Sequence, residues 1–125
     1  MEKRLAANFH HDPTPGQERL IYALSRFTMS KRPHCALIIR GYAGTGKTTT
    51  IGAYVRTAKE IRQKIVLLAP TGRAAKVIEH YSKNPASTIH RMIYFPGKTS
   101  GGLPSFRLGT NKYTNTVFIV DEASM

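Results

Sequence analysis

Between the apolar run Cys35-Ala36-Leu37-Ile38-Ile39 and a stretch with helical potential lies Gly41-Tyr42-Ala43-Gly44-Thr45-Gly46-Lys47-Thr48-Thr49-Thr50. Positions 41–48 fit G-x-x-x-x-G-K-[ST], a pattern whose meaning depends on a strand before it and a helix after it. Glycines let successive backbone amides point into one concavity and approach a phosphate without obstruction from side chains. A helix that starts at the end of such a loop turns its positive dipole end and its unpaired amides toward the same anion. Gly44, Thr45, Gly46, Lys47, Thr48 and Thr49 are therefore the candidate phosphate-binding residues. Lys47 is expected to reach the β- and γ-phosphates of a nucleotide, and the Thr48 hydroxyl to ligate Mg²⁺.

The rest of the chain alternates in a way that suits this loop. Thr14-Pro15-Gly16-Gln17 writes a helix start, with a threonine cap, proline at the first helical position and glutamine three residues after the cap. Leu20, Ile21, Leu24 and Phe27 follow at helical spacing, which predicts a helix over 15–29. Residues 35–40 read as a short buried strand, 47–61 as a helix with Ile51, Val55 and Ala58 inward, and 65–69 as a second strand that stops at Pro70. Thr71 can cap a helix over 72–81, and Ser87 a shorter one carrying Ile89, Met92 and Ile93. The core is the expected place of Tyr94 and Phe95, next to Ile93, with stacking on bases the alternative. Residues 96–105 are rich in turn formers, 106–113 suggest a hairpin, and 116–120 form a last strand running into Asp121-Glu122. Strands alternating with helices predict an α/β fold with a parallel sheet covered on both faces. The 1–13 stretch has no sustained periodicity and reads as a lead-in to a single partial domain over 14–125.

Asp121 and Glu122 stand at the carboxyl end of an apolar strand, where open parallel sheets place their ligands. Hydrolysis of a bound nucleotide requires a carboxylate for the metal and a group that positions or deprotonates water. Asp121 is the candidate for the first role and Glu122 for the second.

The charge balance points to a partner. Lys and Arg number 19 against 7 Asp and Glu, a formal net charge of +12, so a polyanion is a natural ligand, although a merely solvated basic surface has the same composition. Cys35 is the only cysteine; it excludes an intramolecular disulfide, favours an intracellular setting and, lying in an apolar run, reads as a small core residue. No segment approaches the ~20 apolar residues of a membrane span.

Taken together, GYAGTGKTTT, APTGRAAKVI from Ala69 to Ile78, STIHRMIY from Ser87 to Tyr94 and VDEASM from Val120 to Met125 occur in the order and approximate spacing of helicase motifs I, Ia, Ib and II. In this the chain resembles superfamily 1 helicases, particularly the RecD and Dda-like branch that moves 5′ to 3′ on single-stranded DNA. The resemblance implies a RecA-like ATP-binding domain of the P-loop NTPase class, incomplete here, that uses ATP and Mg²⁺. It also implies that Gln17 reads the adenine edge, a role that competes with its capping function, and that Thr71, Gly72 and Arg73 together with His90 and Arg91 contact the single strand. A turn with a hydroxyl, exposed amides and a guanidinium is a competent phosphate binder in its own right. RNA remains an alternative ligand, and nothing in the residues sets the oligomeric state.

By the same resemblance, a γ-phosphate-sensing glutamine, the arginines of a second RecA-like domain and the duplex-splitting wedge lie outside these residues. The chain alone is therefore expected to bind ATP–Mg weakly and to turn it over slowly or not at all, since trans-acting charge stabilisers are worth about 10³ to 10⁵ in rate. Other P-loop ATPases, of the AAA+ or recombinase kind, share the glycine loop, and a nonhydrolysing nucleic-acid-binding module shares the charge. A small-molecule kinase would leave the basic balance and the APTGRAA segment without a purpose.

Overall fold

The helix signals written locally are realised almost to the residue. In the computed structural model, residues 1–9, 12–30, 32–40, 46–97 and 106–121 are described, and the chain divides into two packing units, 1–63 and 64–125.

The first unit is helical. Helix α1 (Glu2–Ala7) lies in the stretch read as a lead-in; at 6 residues it is too short to show a period. Helix α2 (Pro15–Met29) has the predicted capping box, the Thr14 hydroxyl accepting from the Gln17 amide at 3.2 Å and Gln17 Oε1 accepting from the Thr14 amide at 3.0 Å. Helix α3 (Lys47–Glu60) follows the glycine loop. Leu5, Ile21, Val55 and Ala58 are all buried, and α1 packs against both α2 and α3. Polar ties supplement that packing: Asn8 Nδ2 donates to Thr57 Oγ1 at 2.9 Å, Arg56 donates to the Asn8 carbonyl at 2.7 Å, and the Thr28 and Tyr54 hydroxyls meet at 2.6 Å. Burial pushes the Tyr54 phenol above its ordinary pKa, an effect partly offset by the bond to Thr28.

The second unit holds the sheet. Strands β1 (Lys64–Ala69), β2 (Ala86–Thr88) and β5 (Thr116–Val120) pair in the order β2-β1-β5, both pairings parallel, with Leu67 opposite Ala86 and Ile119. The fold is thus α/β with a parallel three-stranded sheet. Helix α4 (Gly72–Ser82) makes the crossover from β1 to β2 and packs on both. Thr71 caps it, its hydroxyl accepting from the Ala74 amide at 3.2 Å, and the spacing of Ala75, Ile78 and Ser82 turns one buried face to the sheet. The Glu79 carboxylate then accepts from the Ala86 amide at 2.8 Å, which ties the helix to the first residue of β2. Helix α5 (Ile89–Ile93) and the two-stranded antiparallel ribbon of β3 (Tyr94–Pro96) and β4 (Phe106–Leu108) complete the unit.

Five expectations are corrected. Residues 35–40 form no strand, and Ile38 and Ile39 stand 77% and 39% exposed. An apolar run states what it would bury, but a strand exists only where a neighbouring edge accepts its hydrogen bonds, and the described residues pair none with it. Cys35, read as a core residue, is exposed for the same reason. Tyr94 and Phe95 are 38% and 49% exposed rather than core, because three-residue strands in a two-stranded ribbon have no second layer to bury them. Phe106 to Leu108 pair back onto 94–96 instead of forming a hairpin within 106–113. Phe118 and Val120 on the outer strand β5 stand 41% and 40% exposed. The cap of α5 also shifts by one residue, to Thr88, whose hydroxyl accepts from the Arg91 amide at 3.1 Å.

Candidate functional site

The start of α3 differs from the other capped helix starts. At α2, α4 and α5 a threonine hydroxyl accepts from an amide of the first turn. At α3 the cap is Gly46, with φ 82° and ψ 15°, and no side chain caps the helix. A capping oxygen there would compete with an anion for the first-turn amides, whereas a left-handed glycine turns the chain into the helix without supplying one. Thr50, the next buried residue, closes the turn, with its amide and its hydroxyl donating to the Gly46 carbonyl at 3.0 and 2.9 Å. Lys47 and Thr49 are half-buried and Thr48 is exposed, so the hydroxyl expected to meet a cation is accessible. Gly44 and Thr45 lie outside the described residues.

Gln17 lies against this glycine. It is 7% exposed, and a Cβ added to Gly46 would come within 2.6 Å of its Nε2. The capping box engages its Oε1 with Thr14, so the side chain expected at the adenine edge is held at the foot of the glycine loop, with its carbonyl engaged by its own helix.

In the second unit, Asp121 continues the β1–β5 ladder by one further bond, its amide donating to the Leu68 carbonyl at 3.0 Å, and its Oδ2 accepts from the Tyr81 hydroxyl at 2.9 Å. Glu122 lies outside the described residues. Thr71, Gly72 and Arg73 are exposed together at the start of α4, and His90 and Arg91 are exposed on α5. Gly72 and Arg73 also line one shallow groove with Lys76, Val77, His80 and Tyr81. His90 is less isolated than its sequence neighbours indicate: its ring lies 4.7 Å from that of Tyr94 and 5.4 Å, edge-on, from that of Phe106. Neither Tyr81 nor Phe106 was identifiable from the sequence as part of a site. Each touches a candidate residue through a contact between separate elements, for which the sequence carries no local signal.

Asp121 and Thr48 each carry the kind of hard oxygen donor that magnesium prefers. Among the described residues no group of three His, Cys, Asp or Glu could hold a metal by itself. Magnesium rarely needs one, since it keeps several waters and binds through one or two carboxylates plus substrate phosphates. Asp121, in the second unit, has a half-buried carboxylate of that kind, and Thr48, in the first, is an exposed hydroxyl residue at the start of α3.

The two glycines predict opposite outcomes. Gly46→Ala is expected to cost about 1–2 kcal/mol from its left-handed backbone alone, with more from the displacement of Gln17, read as a lowered denaturation midpoint. Gly72, where an added Cβ meets nothing within 4 Å, is expected to accept alanine with a stability change within about 0.5 kcal/mol. Loss of strand binding by Gly72→Ala would then report close approach of a ligand to that backbone.

Comparison with known proteins bears on these arrangements. Residues 26–125 match the family model described as AAA domain. Over 92 residues the chain is 35% identical to the ATP-dependent RecD2 DNA helicase of Deinococcus radiodurans, an alignment covering 74% of the chain and 12% of that protein. It is 36% identical over 86 residues to the ATP-dependent DNA helicase dda of Enterobacteria phage T4, covering 66% and 18%, and 38% identical over 99 residues to an uncharacterized protein of Methanocaldococcus jannaschii, covering 70% and 8%. The chain therefore spans between 8% and 18% of the length of these relatives.

Proposed function

The chain belongs to the AAA domain family and is akin to the superfamily 1 helicases of the RecD and Dda-like branch, and from that premise we propose that it is the nucleotide-binding part of an ATP-dependent DNA helicase motor. In this reading ATP hydrolysis drives translocation along single-stranded DNA and the unwinding of duplex. The observation that carries the proposal is the start of α3, a left-handed Gly46 without a capping side chain, followed at once by Lys47 and the exposed Thr48.

Each residue then has a task set by its chemistry. The α3 amides and Lys47 bind the triphosphate, the Lys47 ammonium countering charge on the β- and γ-phosphates. Thr48 and Asp121 would hold magnesium, which when bound neutralises charge on the transferring phosphoryl group. Glu122 orients or deprotonates the attacking water. Gln17 lies against Gly46 and is the candidate reader of the adenine edge. Thr71, Gly72 and Arg73, with His90 and Arg91, grip the strand through its phosphates, the part of nucleic-acid binding that carries no sequence preference.

A salt titration tests the strand reading. Affinity for an oligothymidine strand is expected to fall steeply with added salt, and Arg73→Ala to lower the slope of log K against log salt by about 0.7, the increment for one phosphate contact on a single strand. Salt-insensitive binding, or a slope untouched by Arg73→Ala, would count against the assignment.

A further inference from the structure

Tyr81 donates its phenolic hydrogen to Asp121 Oδ2 across 40 positions of sequence. Both partners are anchored by what surrounds them. On one side, Asp121 is held by its amide on Leu68, the central strand of the sheet. On the other, Tyr81 sits between Ile78 and Ser82, which are 0% and 1% exposed, so the last turn of α4 is pinned against the sheet where the phenol leaves it. Both Tyr81 and Asp121 are half-buried, in surroundings where a hydrogen bond to a charged oxygen is stronger than one in open water. A carboxylate has two oxygens and about four acceptor positions, and a phenol bonded to Oδ2 restricts its rotation.

We propose that Tyr81 is a positioning residue for Asp121, setting the carboxylate in the orientation in which it receives a magnesium ion carried on a nucleotide. The proposal rests on reading Asp121 as the magnesium carboxylate. Outer partners of ligating carboxylates orient them, and loss of one costs about 10- to 100-fold in metal affinity. Tyr81 also lines the groove that holds Gly72 and Arg73, so a contact to the bound strand is the competing role.

The test compares Tyr81→Phe and Asp121→Asn with the parent protein. Binding of Mn²⁺ in the presence of a nonhydrolysable ATP analogue is followed by electron paramagnetic resonance, alongside metal-free nucleotide binding, oligothymidine binding and the denaturation midpoint. Tyr81→Phe, which removes only the hydroxyl, is expected to weaken Mn²⁺ binding about 10-fold while the metal-free nucleotide affinity, the strand affinity and the midpoint hold. Asp121→Asn is expected to weaken it further. If Asp121→Asn loses Mn²⁺ and Tyr81→Phe does not, Tyr81 has no positioning role and the magnesium reading survives. Should neither variant lose Mn²⁺, the magnesium reading fails and the role of Tyr81 with it. A Tyr81→Phe protein that loses strand affinity and keeps its metal places the residue in the strand groove and overturns the proposal.

Discussion

Lys47→Ala is expected to weaken ATP binding by about 10- to 100-fold, since a hydrogen bond from a charged donor is worth about 1.5–3 kcal/mol and the amides of α3 remain. The chain still carries 18 of its 19 Lys and Arg after the change, so affinity for a single strand without nucleotide should stay within about twofold, Lys47 having no assigned phosphate of the strand. Equilibrium binding of a fluorescent ATP analogue and of a labelled oligonucleotide to the same preparations decides the matter. A protein that merely displayed a basic surface would show no nucleotide phenotype at all. Unchanged ATP affinity in Lys47→Ala would remove the phosphate cradle from the account, and the helicase proposal with it.

The second large effect concerns the platform that holds Asp121 and the residues proposed to grip the single strand. Ile78 is 0% exposed on the buried face of α4, while its neighbour Val77 is 54% exposed. Ile78→Ala is expected to cost about 2–5 kcal/mol, the range for deleting a buried aliphatic side chain and leaving part of its cavity behind. Val77→Ala should stay within about 0.5 kcal/mol, as exposed substitutions do. Because a domain of this kind is stable by only about 5–15 kcal/mol in all, Ile78→Ala should lower the urea midpoint severely. Equal midpoints for the two variants would mean that α4 does not face the sheet as described.

Much of the site was legible because its signals are local. The Thr14 and Gln17 capping box, the Thr71 cap and the glycine that opens α3 are each set by atoms within four residues of one another, and all three stand where the spacing put them. The inward placing of Val55 and Ala58 on α3 was legible for the same reason: a helix supplies its own hydrogen bonds, so period alone says which side faces inward. The apolar run at 35–40 was read by an analogous rule and failed, since an extended segment depends on a partner that its own residues do not name.

Sequence by itself determined the chemistry available to this protein: a glycine loop ending in Lys47 and Thr48, a carboxylate at the end of an apolar strand, a net charge of +12 and the helix starts that present them. Tertiary structure alone decided the register of β1 between β2 and β5, the exposure of Cys35 and Phe95, the seat of Gln17 against Gly46, and the bond from Tyr81 to Asp121. The division follows from the range of the forces. Caps and helical periods are satisfied within a turn of the chain, whereas strand pairing, burial and a phenol on a distant carboxylate require segments that meet only after loop closure, and neither segment encodes the other.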